Sequence, residues 1–289
     1  MLSSMSQRRP HKPSKSCYFC GRTGNITEEH AWPRWLGRGA DVEPTQTTRT
    51  LGFSRVSLEA YSEAPTREVT KQGSVLTTRL RQVCRNCNGG WMSQLEEAVR
   101  PVFERMWEPE YPLGFTALSP REIGVLAAWA VKTAWVREQV GSGSSTPTPE
   151  MRRTFTADRV PPAFTSVWAA RHTGQSNFGV YVLQVEARHQ DRPLDGRESR
   201  NVLVCSLTFR GISLLVRTDD GWGVPRMTPP GDRWAQVWPS TGGVAWPPPQ
   251  SASDDDLLEV VGRISHWMSV PELPKFHRHP GGVVRIRRN

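Results

Sequence analysis

Residues 17–33 read CYFCGRTGNITEEHAWP, and residues 84–91 read CRNCNGGW. Each segment opens on a CxxC pair, Cys17 with Cys20 and Cys84 with Cys87, and each has glycine close behind it. Four thiolates from two such knuckles are the tetrahedral set that a structural zinc ion takes. The alternative is two unrelated cysteine pairs in turns. A closed four-sulfur site has no open position, so the ion would brace the fold rather than act on a bond. Ile26 predicts a short strand that Pro33 ends soon after His30, and a helix is expected to begin at Cys87 and Asn88. Zinc would draw the end of the first knuckle toward the start of that helix. Glu29, His30 and Asn88 are then expected near one point.

The order CxxC, acid-His, then CxxC-Asn resembles the zinc-containing branch of the HNH endonucleases, the ββα-metal fold, over roughly residues 17–99. The resemblance implies that Glu29 and Asn88 hold a catalytic divalent ion, Mg²⁺ or Mn²⁺, and that His30 is the general base. It also implies that Cys17, Cys20, Cys84 and Cys87 hold the structural zinc. Trp32, Pro33, Trp35 and Leu36 after His30, and Gly90, Trp91, Met92 and Glu96 after Asn88, extend it. A weaker extension reaches the stretch around Trp129 and Lys132. Three positions depart from the family: the acid is Glu29 rather than the commoner Asp, Arg79 stands where an Asn is usual, and the span from His30 to Cys84 is long. The chemistry suits the residue types. A neutral imidazole takes a proton from water near neutral pH, and a hard cation on oxygen ligands neutralises a leaving oxyanion.

Outward from this motif, residues 1–16 read as a flexible basic arm. The Thr-, Ser-, Arg- and Glu-rich stretch from Gly37 to Ser74 reads as an inserted loop or hairpin without a core of its own. Helical spacing of Trp91, Leu95, Ala98 and Val99 predicts a helix from Asn88 to Val99. Pro101 is expected to kink it or to open a second short helix, Val102 to Trp107. Ser119, Pro120, Arg121 and Glu122 form a capping box for a helix running to about Val140 that is apolar almost all round. Gly141 to Glu150 reads as a linker-like loop. Beyond it, strands are expected at Thr165–Arg171, Phe178–Glu186, Val202–Phe209 and Ile212–Arg217, the last two as a hairpin turned near Gly211. Trp234–Trp238 adds a further candidate strand. Ser253 with Asp254–Asp256 should cap a last helix bearing Leu257, Val260, Val261, Ile264, Trp267 and Met268 on one face.

These elements predict an α+β fold. A zinc-braced ββα-metal module (17–107) follows the arm and precedes a helical segment and an antiparallel, β-rich α+β accessory unit (108–269), with a basic tail at 270–289. The accessory unit would supply specificity, dimerisation or contacts to a protein partner. Most of the Trp residues after position 100 fall at core spacing. Cys205, inside a strand-like run, reads as a small buried apolar residue.

The 289 residues carry a net charge of +9, and its location matters. Residues 1–40 hold seven Lys or Arg against two Glu, residues 270–289 hold five against one, and the rest is balanced. Basic ends suit a polyanion, because each contact to phosphate releases condensed counterions. Solvated tails are the competing reading. Neither an apolar run of membrane-spanning length nor a secretory signal is found, so a cytoplasmic protein with reduced thiols is expected. Nucleic acid, DNA ahead of RNA, is the expected partner of a metal-dependent endonuclease. The alternatives are a zinc-stabilised nucleic-acid-binding module that has lost hydrolysis, and an interaction protein. His11, His172, His189, His266, His277 and His279 lack companions that would make them metal ligands.

Overall fold

The computed structural model of the chain describes residues 15–37, 48–57, 66–71, 76, 78–108, 114–140, 145–174, 178–188, 199–219, 229–240, 242–257, 259–260, 276–278 and 284–286. Helices and mainly antiparallel sheets share one chain, an α+β architecture. Strand β1 (Ile26–His30) pairs antiparallel with β4 (Arg79–Cys84). A widened helical turn, Cys87–Met92, kinked where Gly90 leaves helical geometry (φ −99°, ψ −111°), then leads into helix α1 (Ser93–Trp107). Between β1 and β4 the chain forms β2 (Thr48–Ser57) and β3 (Thr66–Lys71), which pair antiparallel with each other.

The expected hairpin in the 37–74 stretch is therefore present, but it belongs to a larger structure. Seven strands lie in the order β10-β6-β9-β8-β7-β2-β3. Here β6 is Thr165–Arg171, β7 Phe178–Arg188, β8 Ser199–Phe209, β9 Ile212–Asp219 and β10 Ala235–Trp238. All neighbours are antiparallel except β2 on β7, which is parallel. The insertion thus extends the C-terminal sheet at its β7 edge, where backbone groups would otherwise need another partner. The β8–β9 hairpin turns at Arg210 and Gly211, both with positive φ (46° and 76°), the pattern of a two-residue type I′ turn. The Arg210 guanidinium lies 4.0 Å from the centroid of the Trp107 ring.

Helix α2 (Pro120–Glu138) carries the predicted capping box: the Ser119 hydroxyl accepts from the Glu122 amide, and the Glu122 carboxylate accepts from the Ser119 amide at 2.8 Å. Arg105 on α1 also reaches Glu122, fastening the end of α1 to the start of α2. From Leu126 to Glu138 every residue of α2 is buried, because α1 packs against the helix as well as the sheet. The aromatic centre of the core joins N- and C-terminal segments. Trp32 meets the ring of Phe209 at 5.4 Å between centroids, and Phe103 meets Trp129 and Phe209 at 5.0 Å each. One buried cluster runs from Cys17 to Trp246, across the sequence boundary at 107 and 108. Trp129, Trp135, Trp168, Trp234 and Trp246 are all in the core, as is Cys205.

Local expectations are corrected at three places. Pro101 neither breaks nor divides α1, which continues to Trp107. Pro101 and Glu97, whose carbonyl loses its amide partner, are both exposed, so water can satisfy the carbonyl. The second half of the supposed linker is packed: Thr146 is buried, and Thr148 caps α3 (Pro149–Asp158), a helix that periodicity did not reveal. Short strands β5 (Thr116–Leu118) and β11 (Val244–Trp246) pair beside the end of α1, where the Trp246 indole donates to the Met106 carbonyl at 2.8 Å. The Ser253 cap forms with Asp256, while most of the apolar face expected after it lies outside the described residues. So do residues 1–14, residues 141–144, and His11, His189, His266 and His279. In the tail, β12 (Phe276–Arg278) pairs with β13 (Val284–Ile286). Among the described residues no helix is long and apolar enough to cross a membrane.

Glu138, at the end of α2, gives the fold a pH signature. Its Oε1 accepts from the Thr146 amide at 2.8 Å, yet burial pushes its carboxyl from the ordinary 4.5 up to about 7. The folded chain keeps this proton where the unfolded chain has released it, so stability declines as pH rises from 4.5 toward 7. Glu138→Gln is expected to remove a decline of about 3 kcal/mol over that window, measured by urea denaturation at a series of pH values.

Candidate functional site

The four knuckle cysteines meet as their spacing predicts. Their sulfurs all lie within 4.8 Å of one another, and Cys20 Sγ is 3.7 Å from Cys84 Sγ. A tetrahedron with zinc–sulfur bonds of about 2.3 Å has edges of about 3.8 Å, so the set fits a metal ion such as zinc. Backbone geometry prepares it. The Gly21 amide closes the first knuckle on the Cys17 carbonyl, Cys17 and Arg22 are joined by a backbone bond, and the Cys84 amide donates to Cys17 Sγ at 3.4 Å. The Cys87 thiol, with the amides of Cys20, Cys84 and Phe19, draws the Cys17 thiol down against its burial, while the same contact pushes Cys87 up and burial pushes Cys84 up. Without metal the cluster thus favours one thiolate, at Cys17, and thiolate is the form that binds metal. The second knuckle sits at the start of the helix, with Cys87 on the first residue of the widened turn.

Asn88, next in that turn, reaches back to β1. Its Nδ2 donates to Thr27 Oγ1 at 3.1 Å and to the Glu28 carbonyl at 3.2 Å, while Thr27 Oγ1 donates to the Val83 carbonyl. The Glu28 carbonyl can only accept, which fixes the amide with Nδ2 toward the strand and leaves Oδ1 as its accepting atom. Asn88 is thereby tied within two residues of His30.

Glu29 and His30 part company at the end of β1, as successive strand residues do. The His30 ring is half-buried with Nδ1 screened from solvent, and its backbone partner across the hairpin is Arg79. Glu28, on the same pleat face as His30, pairs with the Arg79 guanidinium at 3.1 Å, both side chains about half exposed (48% and 49%). Arg79 therefore stands opposite His30 across the hairpin with its guanidinium held by Glu28.

Glu29 turns inward, with 5% of its surface exposed. It meets Lys132 of α2, whose Nζ lies 3.7 Å from Glu29 Oε1 and 2.8 Å from Oε1 of Glu96 on α1. Burial pushes the Glu29 carboxyl up to about 7; Lys132 opposes the rise and Glu96 adds to it. For Lys132 burial acts downward, but Glu96 and Glu29 carry the ammonium above its ordinary value. Lys132 is thus shared between Glu96, the nearer acid, and Glu29, whose burial favours its protonated form. A divalent ion held jointly by Glu29 and Asn88 does not fit this packing, because the Glu29 carboxylate is enclosed and already faces an ammonium.

Sequence reading thus located the cysteines, His30 and Asn88 on neighbouring elements, and missed the buried partners of Glu29. One signal was available. Lys132 stands alone in GVLAAWAVKTAWV (residues 124–136), and a lysine in so apolar a run needs a buried acid. No family model, curated protein or solved structure matches this chain.

Two outcomes follow from this geometry. Cys84→Ser is expected to lower bound metal from about one zinc ion per chain to near none in elemental analysis, and to unfold the N-terminal part by circular dichroism. Lys132→Met, which leaves the buried Glu29 and the part-exposed Glu96 without their shared cation, should destabilise the fold by about 3 kcal/mol in urea denaturation. Adding Glu29→Gln to it should restore part of the loss.

Proposed function

We propose that this chain is a nucleic-acid-cleaving enzyme in which a structural zinc ion on Cys17, Cys20, Cys84 and Cys87 braces a ββα unit and His30 activates water. The observation that carries the reading is the convergence of β1, β4 and the Cys87 turn, with the half-buried His30 at a strand end opposite Arg79 and Asn88 tied to the same strand two residues before it. With Nδ1 screened, Nε2 is the nitrogen that takes a proton from water. The hydroxide attacks the phosphorus of a phosphodiester, the bond to the leaving oxygen breaks, and that oxygen is protonated from solvent. Arg79 offers positive charge to the phosphate as negative charge builds on its oxygens. The same residues resemble the HNH arrangement, in which Mg²⁺ or Mn²⁺ is bound. Asn88 Oδ1 suits such a cation, whereas Glu29 would have to leave Lys132 to join it. DNA is the first substrate to test, RNA the second.

A second reading is favoured by the enclosure of Glu29: a zinc-braced nucleic-acid-binding module without hydrolysis, in which Glu29 holds β1 against α1 and α2. Supercoiled plasmid and structured RNA, incubated with the purified chain in Mg²⁺, Mn²⁺ or EDTA, separate the two. The first reading expects nicking that falls about 100-fold or more in His30→Ala, with binding retained. Nicking that survives this substitution sinks the assigned base. Binding without cleavage of either substrate establishes the second reading.

A further inference from the structure

Beside the first cysteine knuckle lies an open groove of about 950 Å³ with Lys15, Arg22, Arg81, Arg152 and Arg153 in its lining, together with Cys17 and Cys20 and no Asp or Glu. The five cationic side chains exceed the charge that the two knuckle sulfurs can offset, and a polyanion relieves the surplus. The groove is also shaped in advance. Arg152 lies 4.5 Å from the centroid of the Tyr18 ring and donates to Ser145 Oγ at 2.9 Å and the Pro147 carbonyl at 2.8 Å, so its guanidinium is fixed. Tyr18 is held in turn by a 3.0 Å bond between its hydroxyl and Ser145 Oγ. Helix α3 starts here, with Pro149 in the wall, and directs the positive end of its dipole to the same space. Among the described residues, Arg81 and Arg153 are exposed and have no acidic partner.

The groove also points somewhere. Arg81 and Arg79 are successive outward residues of β4, both exposed and about 7 Å apart along the strand. Arg79 is opposite His30. The outward face of β4 therefore leads from Arg81 in the groove to Arg79, paired with Glu28, and so toward the strand end that carries His30.

We propose that this groove seats the sugar–phosphate backbone of a nucleic acid flanking the position at which His30 acts. Its orientation toward His30 rests on the nuclease reading, while the binding of backbone does not. Arg152, pinned against Tyr18, contributes a fixed charge, and Arg81 and Arg153 contribute phosphate contacts that carry no base preference.

The test uses the full zinc-loaded chain and a fluorescein-labelled DNA duplex, with a labelled single strand and an RNA hairpin as further probes, followed by anisotropy from 50 to 200 mM KCl. For Arg81→Glu combined with Arg153→Glu, affinity should fall about tenfold or more, and the slope of log affinity against log salt should become shallower by about 2. Arg100→Glu with Arg121→Glu changes net charge equally on exposed helix positions away from the groove and should retain affinity. Circular dichroism and zinc content verify that both variants are folded. An unchanged affinity in the groove variant, or an equal loss in the control, overturns the proposal. The two readings fail separately. Wild type that binds through the groove but never cleaves leaves the groove standing and removes the nuclease. Cleavage and binding that both survive the groove substitutions do the reverse.

Discussion

An ammonium group without water around it is the constraint on which much of this structure turns. Lys132 lies in the middle of α2, only 1% exposed, and a charge so placed is tolerable only with acids in reach. Glu96 and Glu29 supply them from α1 and β1, so three elements distant in sequence are brought into one geometry. Apolar packing alone would allow α2 to slide against its neighbours with modest loss. A buried ion pair does not, since a small displacement leaves charge uncompensated. Position, more than stability, is what this triad confers on the end of β1, and His30 is the next residue.

The cysteine cluster fixes the same region from its other side. Its four sulfurs clamp the knuckle before β1 to the turn that opens α1, and Asn88 then ties that turn to the strand by two hydrogen bonds. Between the clamp and the ionic triad, β1 has little freedom.

Legibility from sequence followed the range of the interactions concerned. The knuckles, the Ser119 and Ser253 caps and the β8–β9 hairpin depend on residues a few positions apart, and each was readable. The parallel pairing of β2 with β7 depends on segments far apart, and a polar, weakly periodic stretch from Gly37 to Ser74 holds no trace of its partner. Helix α3 did announce itself in Thr148 and Pro149, a cap followed by proline at the first helical position, but the surrounding Gly, Ser and Thr masked it. Glu29 is the instructive residue of the site. Its place beside His30 suggested a cation ligand, and a cation is what it meets, supplied by Lys132 of the chain itself.

The hairpin inserted between the two halves of the cysteine cluster bears on how the molecule assembles. Its strands belong to the sheet edge beyond β7, so the loop that must close to gather the four sulfurs is interwoven with pairings to the C-terminal part of the chain. Loop closure of this kind delays folding, because its entropy is lost before the non-local contacts compensate. A chain emerging from the ribosome would hold both knuckles long before it holds β7, so the four cysteines can gather around an insertion whose partner strand has not yet been made. Folding order, as well as final geometry, is therefore written into where this hairpin interrupts the motif.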